Sequence, residues 1–373
     1  MKIILVAGAR PNFMKIAPLI HILKGHPTIY PVLVHTGQHY DILMSDQFFL
    51  DLEIPAPDIN LEVGSASHAV QTARIMEKFE EVCLKEKPDY VMVVGDVNST
   101  AACTLTAAKL GIKNIHYEAG LRSHDRSMPE EINRLVTDAI SDIYITTSHD
   151  ADENLLKENV SVDRIHMLGN LMIDTLVAQL PKAMKTPLNF PLLNQSKSIN
   201  LDIDFNKKNY GVMTFHRPNN VDDKETLTKL VRIWGEISAK IPLIFPVHPR
   251  TFKNLVKFEL QKEIDKYPNL YFIEPLGYLQ FIHLVNCSLF VLTDSGGIQE
   301  ETTYLNIPCL TVRPNTESPI TIWEGTNKLM GIENIMSEVN LIMKGKGKKG
   351  SIPKFWDGKT AERIVKLLEN LDQ

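Results

Sequence analysis

Short apolar runs alternate with longer amphipathic segments along the chain. The runs are apolar on both faces, which is typical of strands in parallel sheets covered by helices. They span residues 3–7, 32–35, 90–94, 114–117, 143–146, 165–168, 210–215, 243–247, 270–273, 289–293 and 309–312. The segments between them have helical periodicity, as in ASHAVQTARIMEKFEEVCLKEK (66–87). This alternation predicts βαβ units and an α/β fold of doubly wound, Rossmann-like sheets.

The alternation breaks at residues 181–209, which are rich in Pro, Asn, Lys and Ser. A chain of 373 residues is long enough for two domains of roughly 150–200 residues each. We predict an N-terminal domain of residues 1–175 and a C-terminal domain of residues 176–356. The stretch KGKGKKG (344–350) predicts a solvated loop, and residues 359–371 predict a final amphipathic helix that suits packing on either domain.

Composition and charge exclude several classes of protein. The chain is 44% hydrophobic and 23% charged, as in ordinary globular proteins, and its net charge of -5 provides no positive field for nucleic acid or an anionic membrane. No run approaches the roughly 20 apolar residues of a membrane span. The cysteines form no C-x-x-C motif and lie in apolar surroundings, which predicts buried thiols and a cytoplasmic protein.

Polar residues follow nearly every predicted strand. The stretches that do so are GARPN (8–12), TGQH (36–39), GDVNST (95–100), EAGLR (118–122), HRP (216–218), HPR (248–250), DSGG (294–297) and RPNTE (313–317). Ligands of open parallel sheets bind outside the carboxyl ends of the strands. Polar residues also mark ordinary loops. So many charged loops at the same end of two sheets favour a ligand site, with the two rims facing each other across a cleft.

Two of these stretches suit phosphate or sugar. In DSGGIQEE (294–301) the glycines let backbone approach a ligand at the start of a helix, and Glu301 lies far enough along to reach a ribose diol. The alternative is ordinary N-capping by Asp294 or Ser295. In GARPNFMK (8–15), Arg10 and Lys15 can hold phosphate. That stretch lacks G-x-G-x-x-G, so it does not predict a dinucleotide site, and the sequence has no metal-binding motif.

The stretch HYEAGLRSHDRSMPEEINR (116–134) crowds acids and arginines into one strand-to-helix connection. Ser127 and Glu130 have the spacing of a capping box, which makes a structural role for Glu130 an open alternative. Glu118 and Asp96 follow strands and gain nothing from a cap. Carboxylates held close together near an apolar wall differ in pKa, so that one can donate a proton while another accepts one.

Together these residues resemble the non-hydrolysing UDP-N-acetylglucosamine 2-epimerase family over nearly the whole chain. The matching stretches are G-x-R-P with Lys15, TGQH (36–39), GD (95–96), EAGLRS (118–123), MPEEINR (128–134), HR (216–217), DSGGIQEE (294–301), PNTE (314–317) and GTN (325–327). The resemblance implies a fold like glycosyltransferase family B, with a C-terminal helix (357–373) returning to the first domain. It also implies a homodimer and a reaction without cofactor or metal.

The resemblance further implies inversion at C2 of UDP-GlcNAc, giving UDP-ManNAc, through elimination of UDP to a 2-acetamidoglucal and its re-addition. Asp96, Glu118 and Glu130 would be the acid–base carboxylates, and His216 would assist at the pyrophosphate or in proton transfer. Which carboxylate is the base stays open. The substrate would be held by Arg10, Lys15, His216, Arg217, Phe281, Ser295, Gly296, Gly297, Glu301 and Arg313.

Two departures from the family pattern bear on the substrate. Members commonly read G-T-R-P-E and N-T-E-R-P, where this chain has Asn12 and Ser318. A sister group, the 2-epimerases of UDP-diacetamido-uronic acids, shares most motifs and remains an alternative. A glycosyltransferase or a hydrolysing epimerase of the same fold would also use such a cleft, and so would a non-catalytic nucleotide-sugar sensor.

Overall fold

The division of the chain follows from where its contacts lie. A computed structural model describes residues 1–37, 52–189, 192–193 and 208–372. The chain forms two compact units, Met1–Gln179 with Lys354–Gln373, and Leu180–Pro353. Gln38 and His39 of the TGQH stretch lie outside the described residues, as does most of the predicted junction at 181–209.

The first unit contains a parallel sheet that, over its described residues, has the order β3-β2-β1-β4-β5-β6-β7. Its strands are β1 (Lys2–Ala7), β2 (Tyr30–His35), β3 (Ile59–Asn60), β4 (Tyr90–Val94), β5 (Lys113–Tyr117), β6 (Ile143–Thr146) and β7 (Ile165–Met167). Its helices are α1 (Arg10–Leu23), α2 (His68–Glu86), α3 (Asn98–Lys109), α4 (Pro129–Ile140) and α5 (His149–Lys157), followed by α6 (Leu171–Ala183), which runs on into the second unit.

Packing in the first unit shows why these segments form these elements. The hydroxyl of Ser67 accepts a hydrogen bond from the Val70 backbone N–H and so caps the start of α2. Ile75 and Phe79, one helical turn apart, are fully buried against apolar residues of β1 and β4 such as Ile4 and Val91. Apolar residues at helical spacing on α2 therefore pack against strands that are apolar on both faces, and together they form this layer of the core.

The second unit repeats the architecture with the sheet order β10-β9-β8-β11-β12-β13 over its described residues. Its strands are β8 (Gly211–Thr214), β9 (Leu243–Pro246), β10 (Leu270–Ile273), β11 (Phe290–Thr293), β12 (Cys309–Thr311) and β13 (Asn327–Leu329). Its helices are α7 (Pro218–Val221), α8 (Lys224–Ser238), α9 (Pro249–Lys257), α10 (Gln261–Ile264), α11 (Tyr278–Asn286), α12 (Gly297–Tyr304), α13 (Ile320–Trp323) and α14 (Ile335–Met343). Trp234 on α8 anchors the core, with its ring 5.1 Å from Phe215 and 5.4 Å from Phe245.

The last segment of the chain returns to the first unit and ends in helix α15 (Thr360–Leu371). The Asp174 carboxylate on α6 accepts a 2.7 Å hydrogen bond from the Ala361 backbone N–H, which satisfies a free donor at the start of α15. The Trp356 indole N–H donates to the Thr147 carbonyl at 2.9 Å. Both contacts fasten the returning segment to the unit that contains the N-terminus.

The predicted α/β class with parallel sheets is confirmed, and every predicted apolar run forms a strand. Strands β3 and β13 were not predicted. The stretch KGKGKKG (344–350) was predicted to be a solvated loop. This is wrong at Lys348, whose ammonium is partly buried and donates hydrogen bonds to the carbonyls of Ile322 and Asn327. Among the helices of the described ranges, none combines the length and hydrophobicity that a membrane span requires.

Both sheets reverse their strand order at one point. The first strand of each unit pairs with the fourth, β1 with β4 and β8 with β11. At such a point the loops that leave two neighbouring strands turn in opposite directions and leave room for a ligand. The polar stretches GARPN and GDVNST leave β1 and β4, and HRP and DSGG leave β8 and β11.

Candidate active site

Asn12 ties together the two strand ends at the reversal point of the first sheet. Its side-chain oxygen accepts hydrogen bonds from the backbone N–H groups of Gly8 and Ala9, at 3.2 and 2.9 Å. Its amide N–H donates to the carbonyl of Val94, the last residue of β4, at 3.0 Å. Asn12, one of the departures from the family pattern, is buried and holds the loop that begins α1.

One turn further along α1, Lys15 meets Glu118. The Lys15 ammonium lies 2.5 Å from a Glu118 carboxylate oxygen, and both side chains are largely buried. Glu118 has a left-handed backbone, with φ 71°, so that its N–H and that of Ala119 both reach the Ile145 carbonyl. A Cβ at Gly95 would lie 3.3 Å from the Glu118 carboxylate. Gly95, and with it the start of the Asp96 loop, therefore lies directly beside the Lys15–Glu118 pair.

Arg134 of helix α4 bridges two acids. Its guanidinium lies 2.6 Å from the Asp96 carboxylate and 2.6 Å from that of Glu131. Arg134 is fully buried, whereas 31% of the Asp96 side chain is exposed. Asn133, the preceding residue, donates to the Asp96 carbonyl at 2.9 Å. The Asp96 carboxylate is therefore fixed by α4 on one side and open to solvent on the other.

The two neighbouring glutamates of α4 occupy different environments. The buried Glu131 carboxylate accepts hydrogen bonds from the Ser123 N–H and hydroxyl and from the His124 N–H. Burial opposes ionisation, but the Ser123 hydrogen bonds and the Arg134 charge outweigh it, so the pKa of Glu131 lies below its ordinary value. Glu130 is half-buried in the first turn, and none of the residues that the structure describes pairs with it.

The capping-box alternative for Glu130 is therefore wrong. Helix α4 begins at Pro129, its N-cap residue is Met128, and no side chain caps it. The Ser127 hydroxyl donates instead to the Asp125 carboxylate at 2.6 Å. Glu131, not Glu130, is the glutamate that organises the loop, which leaves the Glu130 carboxylate available for chemistry.

Sequence reasoning missed a buried network beneath this site. The His116 ring contacts the Asp138 carboxylate at 2.6 Å and the Gly95 carbonyl at 2.8 Å, and Arg122 contacts Asp138 at 2.7 Å. Burial opposes ionisation of Asp138, but the charges of His116 and Arg122 outweigh it and hold its pKa below the ordinary value. The signal was present, because Glu131, Arg134 and Asp138 fall on one face of α4 with helical spacing.

In the second unit, Asp294 and His216 lie at the ends of β11 and β8. The Asp294 carboxylate is fully buried and lies 3.1 Å from Nδ1 of the His216 ring. About a third of the His216 side chain is exposed, and the centroid of its ring lies 5.4 Å from that of His248, with the two planes tilted by 35°. The N-capping alternative is wrong, since α12 is preceded by Gly296 and no side chain caps it.

The start of α12 is open on one side. A Cβ added at Gly297 would meet no described atom within 4 Å, whereas one at Gly296 would lie 2.7 Å from the Glu317 carboxylate. Glu317 in turn pairs with Arg313 at 2.8 Å. Ser295 is half-buried at the end of the strand. The backbone around Gly297 can therefore be approached by a ligand, beside a fixed Arg–Glu pair.

Glu301 lies deeper along α12. It is buried beside Tyr278, and burial together with the charge of Glu301 raises the pKa of the Tyr278 hydroxyl well above its ordinary value. Ser318, the other departure from the family pattern, is also buried and donates from its hydroxyl to Glu300 at 3.0 Å. An arginine side chain at this position would need a different packing arrangement.

The remaining predicted residues lie at several places. Arg10 is the half-buried first residue of α1. Arg217 precedes α7, and its backbone N–H donates a hydrogen bond to the Asp294 carboxylate. Phe281 lies on α11, half-buried against an apolar cluster that includes Tyr210 and Ile273. The structure thus pairs Lys15 with Glu118, and it places Gly95, the residue before Asp96, beside that pair. Over the described ranges, no three His, Cys, Asp or Glu side chains are arranged to hold a metal ion.

Rossmann-like sheets with charged groups at their reversal points are characteristic of α/β enzymes that act on nucleotide-bound substrates. Residues 21–369 match the family described as UDP-N-acetylglucosamine 2-epimerase. The chain belongs to this family.

Individual relatives match over the whole chain. Two proteins of Methanococcus maripaludis, a UDP-N-acetylglucosamine 2-epimerase homolog and a UDP-N-acetylglucosamine 2-epimerase, are 43% and 42% identical to it. The alignments cover all of both chains for the first and 98% of both chains for the second. The crystal structure of the Methanocaldococcus jannaschii UDP-GlcNAc 2-epimerase in complex with UDP-GlcNAc and UDP superposes with a TM-score of 0.85 and 39% identity, covering 99% of this chain and 100% of that one.

Proposed function

We propose that this protein interconverts UDP-GlcNAc and UDP-ManNAc by inverting the configuration at C2. Asp96, Glu118 and Glu130 supply the acid and the base, and the second unit binds the UDP moiety. The observation that carries the proposal is a pair of fixed carboxylates beside the reversal point of the first sheet. Glu118, which follows β5, pairs with Lys15, and Asp96, which follows β4, pairs with Arg134. Family membership supports the choice of reaction.

The proposed reaction is an elimination followed by an addition. A carboxylate removes the C2 proton as the C1–O bond breaks, the electrons of the C2–H bond form a C1=C2 double bond, and UDP leaves with the electron pair of the broken bond. The resulting 2-acetamidoglucal then receives a proton on the opposite face of C2, and UDP adds back to C1. One carboxylate must be ionised and another protonated at the same time, which requires that their surroundings differ.

The surroundings of the three acids differ in this way. Glu118 lies against the Lys15 ammonium, Asp96 against the Arg134 guanidinium, and Glu130 has no partner within the described part of the chain. Lys15 and Arg134 therefore hold the Glu118 and Asp96 carboxylates in place, whereas Glu130 is half-buried in the first turn of α4.

The second unit carries groups that suit a departing diphosphate. Backbone N–H groups at the open start of α12, Arg313 and the exposed edge of His216 can stabilise the negative charge that grows on UDP. Glu301 suits the ribose hydroxyls, and Ser295, Gly296, Gly297, Arg217 and Phe281 complete the set proposed in this unit. Arg10 and Lys15 of the first unit also belong to the proposed binding set. No metal or redox cofactor enters the proposed reaction.

Proton NMR tests the proposal directly. Incubation with UDP-GlcNAc alone is expected to produce UDP-ManNAc until the two sugars reach equilibrium. A parallel incubation with a UDP-diacetamido-uronic acid separates the sister activity. Accumulation of free UDP in step with ManNAc, or turnover of the uronic acid alone, would contradict the proposal.

We also propose a homodimer. Helices α2 and α4 carry exposed apolar side chains, Val70 on α2 and Ile132 and Val136 on α4. A groove of about 510 Å³ between them is lined by further apolar atoms of Ala73 and Met76. Exposed apolar faces of this kind favour association. Light scattering is expected to give twice the chain mass of 42.2 kDa, and a monomer would contradict the proposal.

The cytoplasm is the proposed location. All four cysteines are buried and unpaired, at positions 83, 103, 287 and 309. Unpaired thiols in a chain of this size suit a reducing compartment. The net charge of -5 supports the proposal that nucleic acid is not a partner.

A further inference from the structure

The Asp294 carboxylate is surrounded by donor groups from His216 and its neighbours along the chain. Its carboxylate receives the backbone N–H groups of His216 and Arg217, at 3.1 and 2.9 Å, and the side-chain N–H of Asn220 at 3.1 Å. The His216 ring approaches the same carboxylate through Nδ1, at 3.1 Å. Asp294 has no exposed surface.

These donors keep Asp294 ionised. Burial opposes the charged form, but the hydrogen bond and charge of His216, with the contributions of Asn220 and Arg217, outweigh burial and hold the pKa of Asp294 below its ordinary value. An ionised carboxylate only accepts hydrogen bonds. Nδ1 of His216 must therefore carry a hydrogen, and in the neutral ring Nε2 is left with a lone pair.

We infer that Asp294 is a positioning residue that fixes His216 in the tautomer protonated at Nδ1, so that protons enter and leave the ring only at Nε2. The inference rests on the proposed function, in which His216 serves the departing UDP. The protonated ring donates from Nε2 to a phosphate oxygen as the C1–O bond breaks, and Nε2 takes the proton back when UDP adds. The hydrogen on Nδ1 stays on the ring and faces the Asp294 carboxylate throughout. No other reactant is needed.

A purely structural role for Asp294 is the competing explanation. The same carboxylate braces the loop after β8 through the N–H groups of His216 and Arg217. Asparagine at position 294 keeps one side-chain oxygen for these N–H groups but adds an NH₂ group that can only donate. Asp294→Asn therefore keeps an acceptor for the backbone N–H groups of the loop but removes the acceptor for Nδ1 of the His216 ring.

Long-range proton–nitrogen NMR of the ligand-free protein reads the tautomer. The spectrum is recorded at alkaline pH, where ordinary histidines are neutral, and His216 is identified by the signal that disappears in His216→Gln. The wild-type ring is expected to be protonated at Nδ1. In Asp294→Asn it is expected to be protonated at Nε2, because the new NH₂ group faces Nδ1.

Asn220→Ala is the matched control. It removes another donor to Asp294 and leaves the contact between Nδ1 and the carboxylate in place. The His216 tautomer is expected to stay protonated at Nδ1 in this variant. A wild-type ring protonated at Nε2 would overturn the inference without any variant having to fold, and so would an unchanged tautomer in folded Asp294→Asn.

Turnover provides the second readout. Asp294→Asn is expected to lower kcat for epimerisation roughly a hundredfold, the size of a general acid–base contribution, with a smaller change in KM. Wild-type kcat in a variant whose tautomer has switched would overturn the positioning role. If the wild-type protein has the expected tautomer but does not epimerise UDP-GlcNAc, the proposed function fails and the assignment of the tautomer stands.

Discussion

Glu118 shows how a single residue is placed for chemistry at some cost in backbone energy. A left-handed conformation costs a non-glycine residue roughly 1–2 kcal/mol, and Glu118 adopts it with φ 71° beside Lys15 and Gly95. Strain of this kind is concentrated at functional sites. Exposed residues such as Glu62 and Lys87 share this conformation, but Glu118 combines it with burial and with the Lys15 ammonium as its partner.

We expect Glu118→Gln to lower kcat for epimerisation by about 10²–10⁴, because glutamine keeps the shape of the side chain but does not accept a proton. Proton NMR of turnover measures the loss. Binding of UDP, measured by calorimetry, is the control and is expected to stay within about threefold of wild type. Wild-type turnover in this variant would exclude Glu118 from the acid–base groups.

Glu131 makes a separate contribution, to stability, that depends on pH. Its pKa is lower in the folded protein than in the unfolded chain, so its ionisation favours folding. The contribution is complete above the unfolded pKa of about 4.3 and is lost as the pH falls through the lower, folded value. Glu131→Gln is expected to reduce the free energy of unfolding by about 3 kcal/mol at pH 7, because it breaks a buried pair with Arg134.

Urea unfolding at pH 7 and below pH 4 measures this contribution, and the difference between wild type and Glu131→Gln should narrow at the lower pH. Glu130→Gln is the matched control one residue away. Its free energy of unfolding is expected to stay within about 0.5 kcal/mol of wild type. Equal destabilisation by the two substitutions would contradict the different environments assigned to these glutamates.

Sequence could predict which residues follow the strands but not which side chains pair. Asp96 and Glu118 were found because each directly follows an apolar run. Their partners were not assigned, since Arg134 lies 38 residues from Asp96 and Lys15 lies 103 residues from Glu118. Asp294 was considered as a helix cap, and only the strand pairing brings it to His216, 78 residues away. Pairings of this kind depend on the order of the strands.

At the scale of elements, the central strands were predictable because both of their faces are covered. The two strands that sequence missed, β3 (Ile59–Asn60) and β13 (Asn327–Leu329), lie at sheet edges. Strand β3 has only two residues and β13 begins with the polar residues Asn327 and Lys328, so neither forms an apolar run. The starts of helices were less predictable than the strands. For α4, the sequence suggested Ser127 as the N-cap residue, whereas the structure has Met128 at that position.

The loop between β5 and α4 depends on a close approach at Gly120. Its φ is 77°, and a Cβ there would lie 2.3 Å from the carbonyl oxygen of Ala151 on α5. Gly111 has a similar φ of 73°, but a Cβ there would meet no described atom within 4 Å. The two glycines share the conformational requirement and differ in the space around them.

Gly120→Ala is expected to lower the free energy of unfolding by more than about 3 kcal/mol, since backbone strain and overpacking combine. Gly111→Ala carries the strain alone and is expected to cost about 1 kcal/mol. Thermal unfolding followed by circular dichroism ranks the two variants. The account of this loop would be wrong if Gly111→Ala were the more damaging change.

At the scale of the whole molecule, the chain leaves the first unit and returns to it. The segment from Lys354 onward belongs to the first unit, where Trp356 is 1% exposed and donates to the Thr147 carbonyl. The other tryptophans, Trp234 and Trp323, belong to the second unit. Trp356 is therefore an intrinsic fluorescence reporter for unfolding of the first unit.

Trp356→Ala is expected to destabilise the first unit by about 3–5 kcal/mol, the cost of truncating a buried tryptophan. Trp323, which is 62% exposed, is the control, and Trp323→Ala is expected to change stability by less than about 0.5 kcal/mol. Urea unfolding measured by circular dichroism compares them. Equal stability of the two variants would show that the returning segment does not hold the first unit together.

The most direct test of the proposed reaction follows the hydrogen at C2. The protein is incubated with UDP-GlcNAc in D₂O, without any acceptor, and the sugars are examined by proton NMR and mass spectrometry. Removal of the C2 proton by a carboxylate and return of a solvent proton predict deuterium at C2 of the UDP-ManNAc formed. UDP-ManNAc that retains the original hydrogen at C2 would contradict the account.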